Sequence, residues 1–202
     1  QAARFVLSNV SDSDVSALRS DVKPGTRNLK LSDRWIISRL NHLIQNVTHL
    51  FESHQYGEAG RQINDFLWGE YCDWYIEASK VPLYDEDGNK AVPQTILLHA
   101  LEAALRLLHP FMPFVTEAIW QALPDEAREG EALIIARWPE PDAAFLDDEA
   151  EEQMDLMMTL IGGIRNRRAE YNVTPGKRIP ALIAAGGAAQ FLDEQRAVLC
   201  SL

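Results

Sequence analysis

The chain has 202 residues, 47% hydrophobic and 24% charged, with 19 basic against 30 acidic side chains and a formal net charge of −11. That length suits one domain, or one domain with part of another, and the apolar fraction excludes general disorder. Two cysteines, Cys72 and Cys200, exclude a disulfide framework and a cysteine-built zinc site and point to a reducing, intracellular setting, while no apolar run approaches the roughly 18 residues of a membrane span.

The opening Gln1-Ala2-Ala3-Arg4-Phe5-Val6-Leu7 lacks an initiator Met and has no signal-peptide character. It reads as the cut end of a helix running to about Asn9, so a fragment of something longer is expected. A polar stretch from Ser11 to Lys30, with Lys23-Pro24-Gly25, reads as a loop. Ser32 is then the expected cap of a long helix with Asp33 in its first turn. Ile36, Leu40, Leu43, Ile44, Val47, Leu50 and Phe51 recur at helical spacing along one face. Gly57 and Gly60 are expected to mark the turn.

The next helix carries Ile63, Phe66, Leu67, Tyr71, Trp74, Tyr75 and Ala78 inward and is expected to end at Val81-Pro82, before a polar turn from Asp85 to Asn89. A third long helix is predicted after Pro93, with Leu97, Leu101, Ala104, Leu105 and Leu108 inward. It meets His109-Pro110-Phe111-Met112-Pro113, where two prolines must break or kink it, and resumes through Phe114, Ile119 and Leu123. Leu133 to Ala136 predicts a short strand. A helix opens near Asp147 with Met154, Met157, Ile161 and Ile164, and Tyr171 to Arg178 is a loop. Ile179 to Ala185 predicts another strand, followed by a last helix through Leu199. The fold class is therefore mainly α: an antiparallel helix bundle over residues 1–146. Residues 147–202 add the last long helix and the start of a small α/β subdomain that reads as cut at its C-terminal end.

Charge is uneven. Pro124 to Asp155 holds 2 basic and 12 acidic residues, whereas Ile161 to Pro180 holds 5 basic and 1 acidic. Glycine loops for phosphate, a Gly-x-Ser-x-Gly elbow and paired Glu-x-x-His motifs are all missing, so Glu70, Asp73 and Glu77 read as a salt-bridged polar edge and not a di-metal site. His42, His49 and His54 have nothing to complete a ligand set. The methionines near position 157 read as core filler. Two groups remain: Arg4, Phe5 and Asn9 on the opening helix, and Arg165-Asn166-Arg167-Arg168 with Asn172, Lys177 and Arg178. Arg165 and Arg168 share a face. A guanidinium beside an aromatic ring suits phosphates and unpaired RNA bases, and a surface-exposed basic helix end is the plain alternative.

Asp33-Arg34-Trp35-Ile36-Ile37-Ser38-Arg39-Leu40 and the run Leu108 to Trp120 (Leu-His-Pro-Phe-Met-Pro-Phe-Val-Thr-Glu-Ala-Ile-Trp) resemble the anticodon-binding helical domain of class I aminoacyl-tRNA synthetases of the valine–isoleucine–leucine group. Phe66 to Glu77 and Ile164 to Lys177 are similar to the valyl versions of their motifs. The motifs of adenylate formation, His-Ile-Gly-His and Lys-Met-Ser-Lys-Ser, do not occur.

The resemblance implies a cytoplasmic module that positions tRNA by its anticodon loop, with no catalysis of its own. Its parent would be a valine–tRNA ligase using ATP and Mg²⁺. The implied partners are the valine tRNA anticodon loop and the catalytic module of the same chain, with neither DNA nor membrane; no cofactor is implied for this segment itself. Within the resemblance Phe5 is the candidate stacking residue, Arg4 adds charge or stacking, and Asn9 can present an amide to a base edge. Arg165, Arg168 and Lys177 are candidates for phosphates or for packing the bundle against the next subdomain. Trp68, Trp74 and Trp120 are expected in the core first. An isoleucyl or leucyl module and a non-enzymatic helical protein-interaction module remain the alternatives.

Overall fold

The computed structural model describes residues 1–10, 29–85, 90–174 and 176–201. The predicted 11–30 loop lies almost wholly outside the described residues, as does most of the 85–89 turn. Helix α1 spans Ala2–Asn9. Helix α2, Leu31–Glu52, is the central one. Its cap lies two residues before the expected Ser32: the Lys30 backbone N–H donates to Asp33 Oδ2 at 3.1 Å, which closes a capping interaction from the third helical residue. Ser32 is instead buried in the first turn. Trp35, Ile36, Leu40, Ile44 and Val47 are buried along the predicted face, and Phe51 is half-buried at its end.

The turn out of α2 is built by His54 and not by glycine. His54 takes φ 61°, its N–H donates to Phe51 O at 3.1 Å, and the Gln55 N–H donates to Leu50 O at 2.8 Å. That pair of bonds with a left-handed residue is the Schellman ending of a helix. Gly57 and Gly60 lie inside helix α3, Tyr56–Asp65. Gly60 is needed for contact: a Cβ there would sit 3.3 Å from the Phe111 ring.

The chain then runs into a π-helical segment, Phe66–Tyr75. The wide turn sets Phe66, Tyr71 and Tyr75 on one side at spacings of five and four. All three are buried, Phe66 stacks on Tyr71 at 6.5 Å, and Tyr71 meets Tyr75 at 6.2 Å. Tyr71 donates to Leu97 O at 2.7 Å and Tyr75 to Asp33 Oδ1 at 2.9 Å. Burial pushes both phenols well above their ordinary range, and the nearby Asp33 charge adds to this at Tyr75. Burial likewise raises the Asp33 carboxyl, against hydrogen bonds from Lys30 and Tyr75 that lower it.

Helix α4, Ile76–Leu83, continues past the expected stop, with Pro82 in its last turn. Helix α5, Ala91–Leu108, starts before Pro93, which sits in the first turn where proline loses no intrahelical donor. With a mean hydropathy of 1.2 over 18 residues it reaches the length and apolarity of a minimal membrane span, which the sequence reading did not anticipate. Its 72% burial inside the bundle is the packing of a core helix. The predicted break follows, and α6 resumes at Pro113–Trp120.

Leu133–Ile135 forms a 3-10 turn and not a strand. Its neighbours offer no extended edge to pair with: the Leu133 N–H donates to the Glu117 carboxylate at 2.9 Å. Helix α7, Asp148–Glu170, opens where expected, and Asp147 caps it by accepting from the Ala150 N–H. It packs along α2, where Glu151 accepts from Ser38 and from Arg39. The predicted strand at 179–185 is also irregular backbone, followed by α8, Ala189–Glu194, and α9, Arg196–Ser201. A lone apolar run with no partner strand has nowhere to place its backbone hydrogen bonds. Among the described residues there is no strand, so the α part of the expected fold holds and the α/β beginning does not.

Candidate nucleic-acid interface

Arg4 is exposed on α1 and Phe5 is half-buried against the core. The amide nitrogen of Asn9 donates back to Phe5 O at 2.8 Å, so a base edge must compete with a bond that closes α1. The Asn9 carbonyl accepts from Gln94 at 2.6 Å and pins α1 to the N-terminal part of α5.

At the other group, the guanidinium of Arg165 lies over the Trp74 ring at 5.2 Å. Arg168 donates to Thr174 O at 3.2 Å and to Lys177 O at 3.0 Å, so it fastens the loop after α7. Lys177 itself is exposed. Asn172 takes φ 51°, with the Val173 N–H on Arg168 O at 2.9 Å and its own N–H on Ala169 O at 3.0 Å. It ends α7 as His54 ends α2, and Asn tolerates that conformation. Arg167 points elsewhere and pairs with Glu170 at 2.7 Å.

The two groups are joined by residues that the sequence reading did not assign to a site. The Lys80 ammonium lies 5.8 Å from the Phe5 ring centroid and 2.6 Å from Glu77 Oε1. Trp74, Glu77 and Lys80 follow one another at i, i+3 spacing across the junction of the π segment and α4. The order Phe5, Lys80, Glu77, Trp74, Arg165 is therefore one ridge. The six steps from Trp74 to Lys80 span about 9 Å of helix. The i, i+3 spacing is visible in the sequence; that Phe5 of α1 and Arg165 of α7 reach its two ends is not.

On α7 the acidic residues lie N-terminal to Arg165, and Glu151 shares Arg39 with Glu70, four residues before Trp74. Residues 94 and 108 of α5 are about 21 Å apart at 1.5 Å per residue; Asn9 contacts the first end, and the proline break follows the second. On α7 the same rise separates Glu151 from Arg165. Of the three tryptophans expected in the core, Trp120 is fully buried and Trp74 half-buried beneath Arg165, but Trp68 is 65% exposed. Trp68 stands outside the inward row of Ile63, Phe66, Leu67, Tyr71, Trp74 and Tyr75. Glu70, Asp73 and Glu77 stay apart as a site: Glu70 takes both nitrogens of Arg39 at 2.8 Å and Glu77 takes Lys80. A cavity of about 330 Å³ beside Arg39, His42 and Arg61 is walled by such pairs. Its Arg39 is held protonated more firmly than usual, chiefly by the bond to Glu70.

A family model described as the anticodon-binding domain of tRNA ligase matches residues 33–183. Similar proteins include a valine–tRNA ligase of Staphylococcus saprophyticus, 41% identical over 185 residues, which is 91% of this chain and 20% of that protein. One from Bacillus cereus is 43% identical over the same shares, and one from Oceanobacillus iheyensis is 44% identical over 78% of this chain and 18% of its own length. The chain thus spans about a fifth of the curated relatives it matches.

Proposed function

The chain belongs to the family of anticodon-binding domains of tRNA ligases, and from that premise we propose that it reads the anticodon loop of a valine tRNA for a valine–tRNA ligase. The support is the ridge that brings Phe5 and Arg165 to one end of the bundle, together with relatives that are valine–tRNA ligases. Valine codons share their first two bases, so discrimination rests on the last two anticodon bases. Those bases are unpaired, and an aromatic face with a flanking cation is the physical means of holding them. Phe5 stacks, Arg4 and Arg165 supply charge, and Asn9 and Lys177 lie at the margins. Arg168 acts by shaping the loop that carries Lys177.

Attachment of valine belongs to a catalytic module of the parent polypeptide, in the cytoplasm, where ATP and Mg²⁺ would be held; this chain carries neither adenylate-forming motif. The formal charge of −11 sets a small footprint. Two neutralised phosphates give a slope of log K against log salt of about −1.4.

Fluorescence anisotropy with a labelled valine anticodon hairpin at low salt tests the reading. The valine hairpin is expected to bind better than one with its last two anticodon bases changed, and Phe5→Ala to weaken it by about 1–3 kcal/mol. Equal binding to both hairpins, or a slope several times steeper, would contradict it.

A further inference from the structure

We propose that Lys80 is a phosphate-binding residue of this domain, and that it reaches RNA by exchanging its bond to Glu77 for a phosphate. The inference rests on the anticodon reading above and adds two residues to it. Lys80 sits over the ring of Phe5, at 5.8 Å from the centroid, so that a base stacking on that side of the ring meets it. Its ammonium is meanwhile held by Glu77 at 2.6 Å.

A base arriving on Phe5 must move that ammonium. The phosphate of the same nucleotide, one ribose away, offers it a new anionic partner. The exchange is cheap because the Lys80 and Glu77 side chains are 36% and 42% exposed, and ion pairs in water contribute little net stability. Holding the cation in place beforehand also limits the rotamer freedom lost on binding. Glu77 therefore acts as a competitor for the same ammonium: it keeps Lys80 on the ridge in the free protein and weakens RNA binding when present.

The test is a double-mutant cycle on the chain as it stands, with the valine hairpin titrated at several salt concentrations. Lys80→Ala is expected to make the salt slope shallower by about 0.7, the loss of one single-strand phosphate contact. Glu77→Gln is expected to tighten low-salt binding roughly two- to fivefold. In the Lys80→Ala background Glu77→Gln is expected to change nothing, because the competitor then has nothing to hold. Helix content by circular dichroism checks that each variant is folded.

A salt slope unchanged by Lys80→Ala overturns the inference. So does a Glu77→Gln gain that persists without Lys80, since that is general charge repulsion. Either result leaves the anticodon reading intact if the wild type still prefers the valine hairpin over the base-changed one. Loss of that preference overturns the reading itself.

Discussion

Replacing Arg106 by Met is expected to destabilise the fold by about 3–5 kcal/mol, because it withdraws one member of a buried ion pair. Arg106 and Glu102 are only 11% and 10% exposed in their side chains, and the guanidinium Nε donates to Glu102 at 2.7 Å. The same group reaches Glu129 Oε2 at 3.0 Å and Arg137 O at 2.9 Å, and lies 5.6 Å from the centre of the Trp120 ring. It is the point at which the acidic segment 125–147 is hooked to the C-terminal end of α5. Removing it takes away the guanidinium that Glu102 and Glu129 share, and leaves the Glu102 charge in a low-dielectric setting with less compensation. Pairing the change with Glu102→Leu is expected to restore more than half of the loss, since an apolar pair of similar volume carries no charge to desolvate. Urea unfolding of the two variants measures this.

Trp120→Ala is expected to cost a similar amount, about 3–5 kcal/mol, by opening a cavity under the proline break. Trp120 is fully buried, and its indole N–H finds no acceptor among the described residues. Trp120→Phe is therefore expected to cost much less, because it gives up ring volume but no hydrogen bond. Because Arg106 packs on this ring, the two alanine or methionine changes made together are expected to cost less than their sum. A Phe variant as damaging as the Ala variant would show that the N–H has a partner after all.

Helical periodicity exposed most of the bundle in the sequence: the buried face of α2, the break between α5 and α6, and the start of α7 near Asp147 are all where apolar spacing and proline place them. The misreadings share a cause. Apolar runs at 133–136 and 179–185 satisfy strand composition, but a strand needs a partner edge, and that is a tertiary fact. Glycines at 57 and 60 resemble turn residues, yet one serves a close ring contact and the turn falls to His54, whose left-handed backbone no periodicity reveals. Trp68 is exposed because it stands off the inward row of its helix, and its size and apolarity alone do not bury it.

At the candidate interface the residue types were legible and their neighbours were not. Arg4 and Phe5 stand out as a cation beside a ring, and Arg165 as one of a basic cluster. Glu77 reads in the sequence as part of a polar edge with Glu70 and Asp73, and Lys80 carries no signal of its own; only the fold brings Phe5 of α1 to the Lys80 ammonium. Likewise the net charge of −11 argues against RNA only if it is spread evenly. On α7 the acidic block stops at Asp155, about 15 Å along the helix from Arg165.

The most direct test of the account is an amide chemical-shift map of the isotopically labelled chain titrated with the valine anticodon hairpin. The account predicts perturbations confined to residues 2–9, to 74–80 and to 164–178, with the segment 111–149 undisturbed. Shifts concentrated at 111–115 and 133–149, with residues 2–9 unmoved, would contradict it and place the RNA at the other end of the bundle.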